Sequence, residues 1–131
     1  MIFFDTSAAI ALANPKDEYH DTSIRTFEAL LDNGEELLTH NYAIVETIAL
    51  LQRRIGLAAA VEFQRNARTS LRLHWVTEAD HNRAAQRWFE SDTRRLNLVD
   101  CVSFIVMEMY ECDTAFTYDS DFEAEGFQLV G

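Results

Sequence analysis

The stretch MIFFDTS, residues 1–7, decides the fold that this sequence predicts. Its wholly apolar run, residues 1–4, is too short for a helix and ends abruptly at polar residues, which is typical of a buried strand. A short helix is predicted directly after it, over 6–13. A buried strand that leads into a helix indicates a parallel α/β sheet. Asp5 then stands at the carboxyl end of a central strand, where such sheets bind ligands.

Working outward, the patterning predicts alternating strands and helices along the whole chain. Further strands are predicted at 37–39, 71–76, 114–117 and 127–130. Helices are predicted over 17–31, 41–55, 57–63, 78–89 and 98–110, with a helical turn from 120. The strict alternation of apolar and polar residues in 71–76 favours an edge strand. A length of 131 residues predicts one domain over 1–131.

Targeting and redox signals are weak. The N-terminus has no signal-peptide pattern, and no apolar run approaches the roughly 20 residues that span a bilayer. We therefore expect a soluble, cytoplasmic protein that does not contact membranes. Cys101 and Cys112 form no C-x-x-C pair, so we expect reduced, inert thiols.

The net charge of −11 disfavours nucleic-acid binding until its distribution is considered. Residues 1–51 hold two basic and nine acidic residues, and residues 96–131 hold eight acidic residues and no basic one. Residues 52–95 hold nine Arg and five acidic residues, so the middle third is basic. Arg binds phosphate in a bidentate manner, which makes this segment a candidate RNA contact.

Five of these arginines recur at spacings of three and four residues: Arg65, Arg68, Arg72, Arg83 and Arg87. That spacing groups them into stripes and predicts RNA contacts. The alternative is an ordinary solvated surface, in which Glu62 pairs with Arg65 and Asp80 pairs with Arg83. The spacing alone leaves both interpretations open.

Two carboxylates, Asp5 and Asp119, follow predicted strands. Asp5 also suits the N-cap of the helix that follows it, and Asp119 also suits a turn. Asp121 competes with Asp119, and we assign it a supporting position because Asp119 comes first after the strand. If the first and fourth strands are neighbours, the two ends meet at the switch point of the sheet.

Two other carboxylates, Glu46 and Asp100, lie inside apolar helical segments. An unpaired carboxylate removed from water costs several kcal/mol, so each must be protonated, paired with a cation or bound to metal. An Arg partner is the alternative for Glu46, because Arg53 and Arg54 follow on the same helix. No Lys or Arg follows Arg95, so Asp100 has no cation in its own C-terminal segment.

These four acids predict a metal site if they meet in one cleft. Their mutual repulsion would force some of them to take up protons unless a divalent cation held them together. Oxygen-only ligands favour a hard ion, Mg²⁺ or Mn²⁺. Such a site polarises a phosphate and activates a water for in-line attack, which predicts a nuclease.

Four blocks carry a family resemblance: IFFDTSAAIAL from residue 2, HNYAIVETIALLQRR from residue 40, NLVDCVSFIVME from residue 97 and FTYDSDFEAEGF from residue 116. With them the whole chain resembles PIN-domain ribonucleases, most closely the VapC-type toxins of toxin–antitoxin pairs. The resemblance implies a three-layer α/β/α fold with a five-stranded parallel sheet of order 3-2-1-4-5. It also implies Mg²⁺- or Mn²⁺-dependent endonucleolytic RNA cleavage, homodimers and a small cognate antitoxin.

By that resemblance the family's four metal-binding and catalytic acids correspond to Asp5, Glu46, Asp100 and Asp119. Ser7, Asn41 and Thr117 resemble the polar residues that often support these acids. The family often has Ser or Thr where this chain has Asn97 and Val99, so hydrogen bonding around Asp100 is expected to differ.

Several other classes are disfavoured by missing motifs. No G-x-G-x-x-G or Walker A loop is present. A haloacid dehalogenase phosphatase would need Asp where Ser7 stands, and a response-regulator receiver needs a late Lys, whereas the only Lys is Lys16. The alternative from another class is a non-catalytic RNA- or protein-interaction module, whose surface could include Tyr19, Phe27, Tyr42 and Trp88.

Overall fold

A computed structural model describes residues 1–92 and 95–131, with Arg68 described by its backbone alone. Five strands are present: β1 (Ile2–Phe4), β2 (Leu37–His40), β3 (Arg72–His74), β4 (Thr114–Phe116) and β5 (Gln128–Val130). Seven helices accompany them in the described residues: α1 (Thr6–Ala13), α2 (His20–Asp32), α3 (Asn41–Arg54), α4 (Leu57–Ser70), α5 (Glu78–Glu90), α6 (Leu98–Met109) and α7 (Asp121–Ala124).

All strand pairs are parallel, and the order is β3-β2-β1-β4-β5. The predicted fold class is therefore confirmed, including the edge position of β3. β1 lies at the centre of the sheet. Its Phe3 is opposite Leu38 of β2 on one side and opposite Ala115 of β4 on the other. The order changes direction at β1 and β4, so their carboxyl ends form the switch point of the sheet.

Alternation of side chains along β1 divides the core into two layers. Phe3 packs on the α5–α6–α7 side with Phe104 and Phe122. Phe4 packs on the opposite side with residues of α1, α2 and α4, such as Ala8. A smaller apolar cluster of α1, α3 and α4 residues continues this second layer. The helices therefore cover both faces of the sheet, as a fully parallel sheet requires.

Most element boundaries differ from the prediction by one residue, and α4 runs on to Ser70 where the pattern predicted an end at 63. Two of the larger differences have a local cause. α2 begins at His20 and not at residue 17. The Asp17 carboxylate accepts a hydrogen bond from the Tyr19 backbone and holds this segment in a turn before the helix. β3 ends at His74, because the Val76 backbone N–H donates to Asn41 Oδ1 at 2.7 Å and leaves the ladder. Side-chain competition for backbone groups shortens both elements.

Within the described residues, none of the helices has the length and apolar character needed to cross a membrane. Cys101 and Cys112 are both buried and form no disulfide. Burial raises the pKa of each thiol, which keeps it protonated. The two thiols are thus free and buried, as expected, and their lack of reactivity stays a prediction.

His40 begins α3 from a completely buried position, with 0% of its surface exposed. Its Nδ1 accepts a hydrogen bond from the Ala43 backbone, so the ring proton is on Nε2, which lies 2.9 Å from Ser103 Oγ. Burial and, to a smaller extent, the charge of the nearby His74 together lower the pKa of His40 to about 3. Neutral imidazole is thus part of the core that joins β2, α3 and α6.

This buried imidazole predicts a dependence of stability on pH. The unfolded state binds a proton near pH 6.5 and the folded state only near pH 3, so His40 costs stability as the pH falls through that window. His40→Asn keeps an N-cap acceptor and removes the titration. The stability advantage of the wild type over this variant should shrink by about 1.4 kcal/mol per pH unit between pH 6 and 4. Urea unfolding at several pH values measures it, and a constant difference would contradict it.

Candidate active site

The carboxyl ends of β1 and β4 are joined through Asp5, which is only 8% exposed. Asp5 Oδ2 accepts hydrogen bonds from Ser7 Oγ at 2.7 Å and from Thr117 Oγ1 at 2.8 Å. It also accepts from the Ser7 backbone at 3.3 Å, which makes Asp5 the N-cap of α1. The capping interpretation of Asp5 is therefore correct, and it coexists with a place at the sheet switch point.

The two hydroxyls that hold Asp5 also hold the chain after β4. The Tyr118 backbone N–H donates to Ser7 Oγ at 2.9 Å, and the Asp119 backbone N–H donates to Thr117 Oγ1 at 3.0 Å. Ser7 and Thr117 thus orient Asp5 and position Asp119 at once. Asp119 Oδ1 in turn accepts from the Asp121 backbone at 2.9 Å, so the turn role foreseen for Asp119 is present.

Asp100 lies in the first turn of α6 and not in its middle. Its Oδ2 accepts from the Asn97 backbone at 3.0 Å, and its own N–H donates to Asn97 Oδ1 at 2.9 Å. This capping box explains locally why an acid is tolerated in an apolar helix. Its sequence signal, a capping residue followed three positions later by an acid, is legible in Asn97–Asp100. Asn97 supplies the hydrogen bonding that the departure from Ser or Thr had put in question.

Charge interactions show that the four acids lie near one another. Burial and, to a smaller extent, the charges of Asp119, Asp5 and Glu46 together raise the pKa of Asp100 to about 6, against the opposing effect of the hydrogen bond from the Asn97 backbone. Burial also raises the pKa of Asp5, with a contribution from Asp119. The pKa of Glu46, on α3, is raised by burial and by the charge of Asp5. The charges of neighbouring acids therefore disfavour the ionisation of Asp5, Glu46 and Asp100.

Three of these acids share one feature of hydrogen bonding. Asp5 and Asp100 bond through Oδ2, and Asp119 bonds through Oδ1. In the part of the chain that the structure describes, no protein group donates to the second oxygen of any of the three. The donor set is hard oxygen throughout, which fits Mg²⁺ or Mn²⁺. As the side chains stand, however, no three described His, Cys, Asp or Glu residues are arranged to enclose a metal ion.

The remaining residues expected to support the acids differ in placement. Asp121 is buried, and its Oδ1 lies 3.6 Å from Arg95 Nη2. Asn41 Oδ1 accepts from the Val76 backbone, so this contact ties Asn41 to the segment after β3 and not to an acid. The sequence offered no sign of this use, because the partner is 35 residues away.

The arginines lie on opposite sides of the sheet. Arg65 is exposed on α4, and Arg83 is exposed on α5. Arg72 pairs with Glu36 at 3.0 Å and lies over the Tyr110 ring. The side chain of Arg68 lies outside the described residues. Asp80 bonds to His74 at 2.8 Å, so the surface pair expected between Asp80 and Arg83 is not what Asp80 forms.

Arg87 has a structural environment. It pairs with Glu108 at 2.6 Å and Glu125 at 2.9 Å and lies over the Phe104 ring. These contacts join α5 to α6 and to the residue that follows α7. Both its charge and its ring contact are engaged within the chain, so its assignment to RNA is disfavoured. The spacing of Arg83 and Arg87 could not reveal this, because both acidic partners are distant in sequence.

Comparison with known proteins agrees with this geometry. The sequence profile of the PIN domain matches residues 2–127. Two relatives from strains of Mycobacterium tuberculosis, each described as the 23S rRNA-specific endonuclease VapC20, are 36% identical over 136 residues, which covers 99% of this chain and 98% of theirs.

Two crystal structures have a similar fold. That of Mycobacterium tuberculosis VapC20, described as a Sarcin-Ricin loop cleaving toxin, has a TM-score of 0.87 and 34% identity, covering 97% of this chain and 96% of its own. FitAcB from Neisseria gonorrhoeae has a TM-score of 0.69 at 14% identity, covering 100% of this chain and 97% of its own, and shows the fold alone. With the sheet order, the profile match and the identity to VapC20 in agreement, this chain belongs to the PIN-domain family.

Proposed function

We propose that this protein is a metal-dependent endoribonuclease and the toxin of a toxin–antitoxin pair, with one PIN domain over residues 1–131. The observation that carries the proposal is the proximity of Asp5, Glu46, Asp100 and Asp119, since the charges of neighbouring acids, together with burial, raise the pKa of the first three. Repulsion between these carboxylates lowers the stability of the fold when no cation is bound. Their position at the switch point of the sheet, where such folds bind ligands, therefore favours a functional site.

Asp5, Asp100 and Asp119 would hold Mg²⁺ or Mn²⁺ through the oxygens that the described residues leave without hydrogen-bond donors, and Glu46, which has a hydrogen bond from Thr6, would complete the set. A divalent ion there would neutralise charge on the scissile phosphate and lower the pKa of a bound water. Side-chain rotation of the carboxylates would have to bring their oxygens together. Glu46 is the acid best able to move, because its longer side chain extends from the middle of α3 and caps no helix.

The chain's own residues orient this cluster. Ser7 and Thr117 hold one oxygen of Asp5, so its other oxygen keeps a constant direction. Asn97 does the same for Asp100. Fixed ligands reduce the reorganisation that the site must undergo when the phosphate becomes more negatively charged in the transition state.

The substrate and partners follow from similarity. VapC20 is described as acting on 23S rRNA, and the 36% identity over nearly the full chain supports an RNA substrate of the same class for this protein. We infer a ribosomal RNA loop, because single-stranded loops expose bases that a protein can read. A cognate antitoxin, a homodimeric state and a cytoplasmic location complete the proposal.

Replacing Asp100 by Asn tests the site. The amide cannot act as an anionic ligand, but its oxygen can still accept from the Asn97 backbone, so the capping box survives. We expect RNA cleavage to fall at least about a hundredfold with little loss of stability. Expression in a host cell, followed by mapping of new RNA 5′ ends, and cleavage by purified protein with and without EDTA measure it.

The matched control is Asp32→Asn, which removes an exposed acid from α2 and should leave cleavage unchanged. Asp5→Asn should behave like Asp100→Asn. Undiminished cleavage by both site variants would refute the four-acid site. Metal binding without turnover of any RNA in a broad set would instead favour a non-catalytic interaction module.

The raised pKa of Asp100 predicts proton-linked metal binding. With a pKa of about 6, this carboxyl is protonated in much of the metal-free protein below that pH and must lose the proton before it can ligate an ion. Mg²⁺ affinity should therefore fall by about tenfold per pH unit below pH 6. Calorimetry in buffers of different ionisation enthalpy measures the released proton. A carboxyl pKa near 4 by NMR in the metal-free protein would contradict this prediction.

Arg65 and Arg83 should behave differently from Arg87. If the two exposed arginines contact phosphates, Arg65→Ala and Arg83→Ala should each reduce the slope of log Kd against log salt by about one, at unchanged stability. Arg87→Ala leaves Glu108 and Glu125 unpaired and should cost about 1–3 kcal/mol of stability. RNA binding is measured in the Asp100→Asn background. Unchanged slopes for the exposed pair would assign them to ordinary surface.

A further inference from the structure

We propose that Tyr19, stacked on Tyr118, is a platform on which a base of the RNA substrate stacks beside the scissile phosphate. This inference rests on the proposed ribonuclease activity and adds a specificity-determining residue to it. The two rings are nearly parallel, with an interplanar angle of 3° and centroids 4.3 Å apart. One face of Tyr19 covers Tyr118, and 41% of the residue is exposed, so the accessible part is its other face and its edges.

The platform is tied directly to the acid cluster. Tyr118 stands between Thr117, which donates to Asp5, and Asp119. Its backbone N–H donates to Ser7 Oγ, the same hydroxyl that donates to Asp5 Oδ2. The Tyr118 ring also packs edge-on against Phe116 at 6.2 Å, so its plane is supported from below. The stack therefore has a defined position relative to the acids, as a base-reading surface next to a cleavage site requires.

The local structure does not need either aromatic side chain for its hydrogen bonds. The Tyr19 backbone N–H donates to Asp17 Oδ1 in the turn before α2, while the Tyr19 side chain, at the N-cap position, makes no capping bond. The Tyr118 hydroxyl is buried with no hydrogen-bond partner among the described residues. A buried hydroxyl without a partner is rare in folded proteins. The contact that Tyr19 and Tyr118 make with each other is therefore the stacking of their rings, and a ring is also the group on which a base can stack.

The charges near Tyr19 favour a base over a phosphate as the group it contacts. Asp17, Glu18 and Asp21 lie near it in sequence and outnumber the cations Lys16 and Arg25, the second of which acts on the Tyr118 hydroxyl, so the surroundings as a whole are acidic and repel the RNA backbone. An uncharged aromatic face accepts any base through stacking, and proteins commonly read unpaired RNA bases in this way. The acidic surroundings thus leave the flat face of a base, and not a phosphate, as the ligand that fits.

Three variants test the platform on an RNA hairpin that carries the mapped cleavage sequence. Tyr19→Leu keeps an apolar side chain and removes the ring, and kcat/KM should fall about 5- to 150-fold, the range that loss of one base–aromatic stack produces. Tyr19→Phe keeps the ring and should restore most of the lost activity. Leu31→Ala, at a residue of α2 with 49% exposure, is the matched control and should leave kcat/KM unchanged.

A series of hairpins with one abasic nucleotide at successive positions distinguishes stacking from a structural role. An abasic nucleotide at the stacked position should lower kcat/KM of the wild type by the same factor as Tyr19→Leu does on the intact hairpin. The same abasic hairpin should cause no further loss in Tyr19→Leu. If the loss from Tyr19→Leu and the loss from the abasic nucleotide add at every position, the platform is overturned. It is also overturned if Tyr19→Leu cleaves as fast as the wild type, or if Tyr19→Leu changes only the inhibition of the protein by an antitoxin. No cleavage or binding of any RNA by the wild type would overturn the ribonuclease function and the platform together.

Discussion

The pairing of β1 with β4 is the constraint on which the site depends. Phe4 lies opposite Phe116 in this ladder, so the chain leaves both strands at the same level of the sheet. Asp5 and Thr117 are the next residues on each strand, and the 2.8 Å hydrogen bond between them closes the switch point. Because neighbouring strands are only about 4.8 Å apart, carboxylates placed after both cannot avoid one another. The fold itself thus creates the charge repulsion that a cation would relieve.

The chain tolerates this repulsion because most of the acids also serve the backbone. Asp5 is the N-cap of α1, and Asp100 is in the first turn of α6, so both lie at the positive ends of helix dipoles. Each such interaction contributes roughly 0.3–1 kcal/mol, which offsets part of the cost of crowding like charges. Glu46 has no such compensation in the middle of α3. An acid can therefore both cap a helix and be a metal ligand. Its capping interactions offset part of the repulsion between the acids when no metal is bound.

The local sequence pattern predicts the strands, the central position of the first strand, and the acids that follow strands. It does so because polarity changes sharply at Phe4–Asp5 and at Thr117–Asp119. Contacts between residues distant in sequence were not predictable. The sequence places His40 directly after a predicted strand and gives no sign of its buried bond to Ser103, which spans 63 residues. Arg87 looked like half of an arginine stripe until its acidic partners were known. Side-chain rings and charges have many alternative partners, and only the assembled fold selects one.

The distribution of charge also restricts how RNA can approach. Arg65 belongs to α4 on one side of the sheet and Arg83 to α5 on the other, so these two arginines do not share one face. Between these layers lies the carboxyl edge of the sheet, which carries the acids and is strongly negative before any cation binds. A phosphate can enter that edge only if the local charge is reversed, whereas a base can stack there without such a change. Under the proposed function, selection of RNA by this acidic protein would combine a metal-dependent step for the phosphate with uncharged recognition of bases.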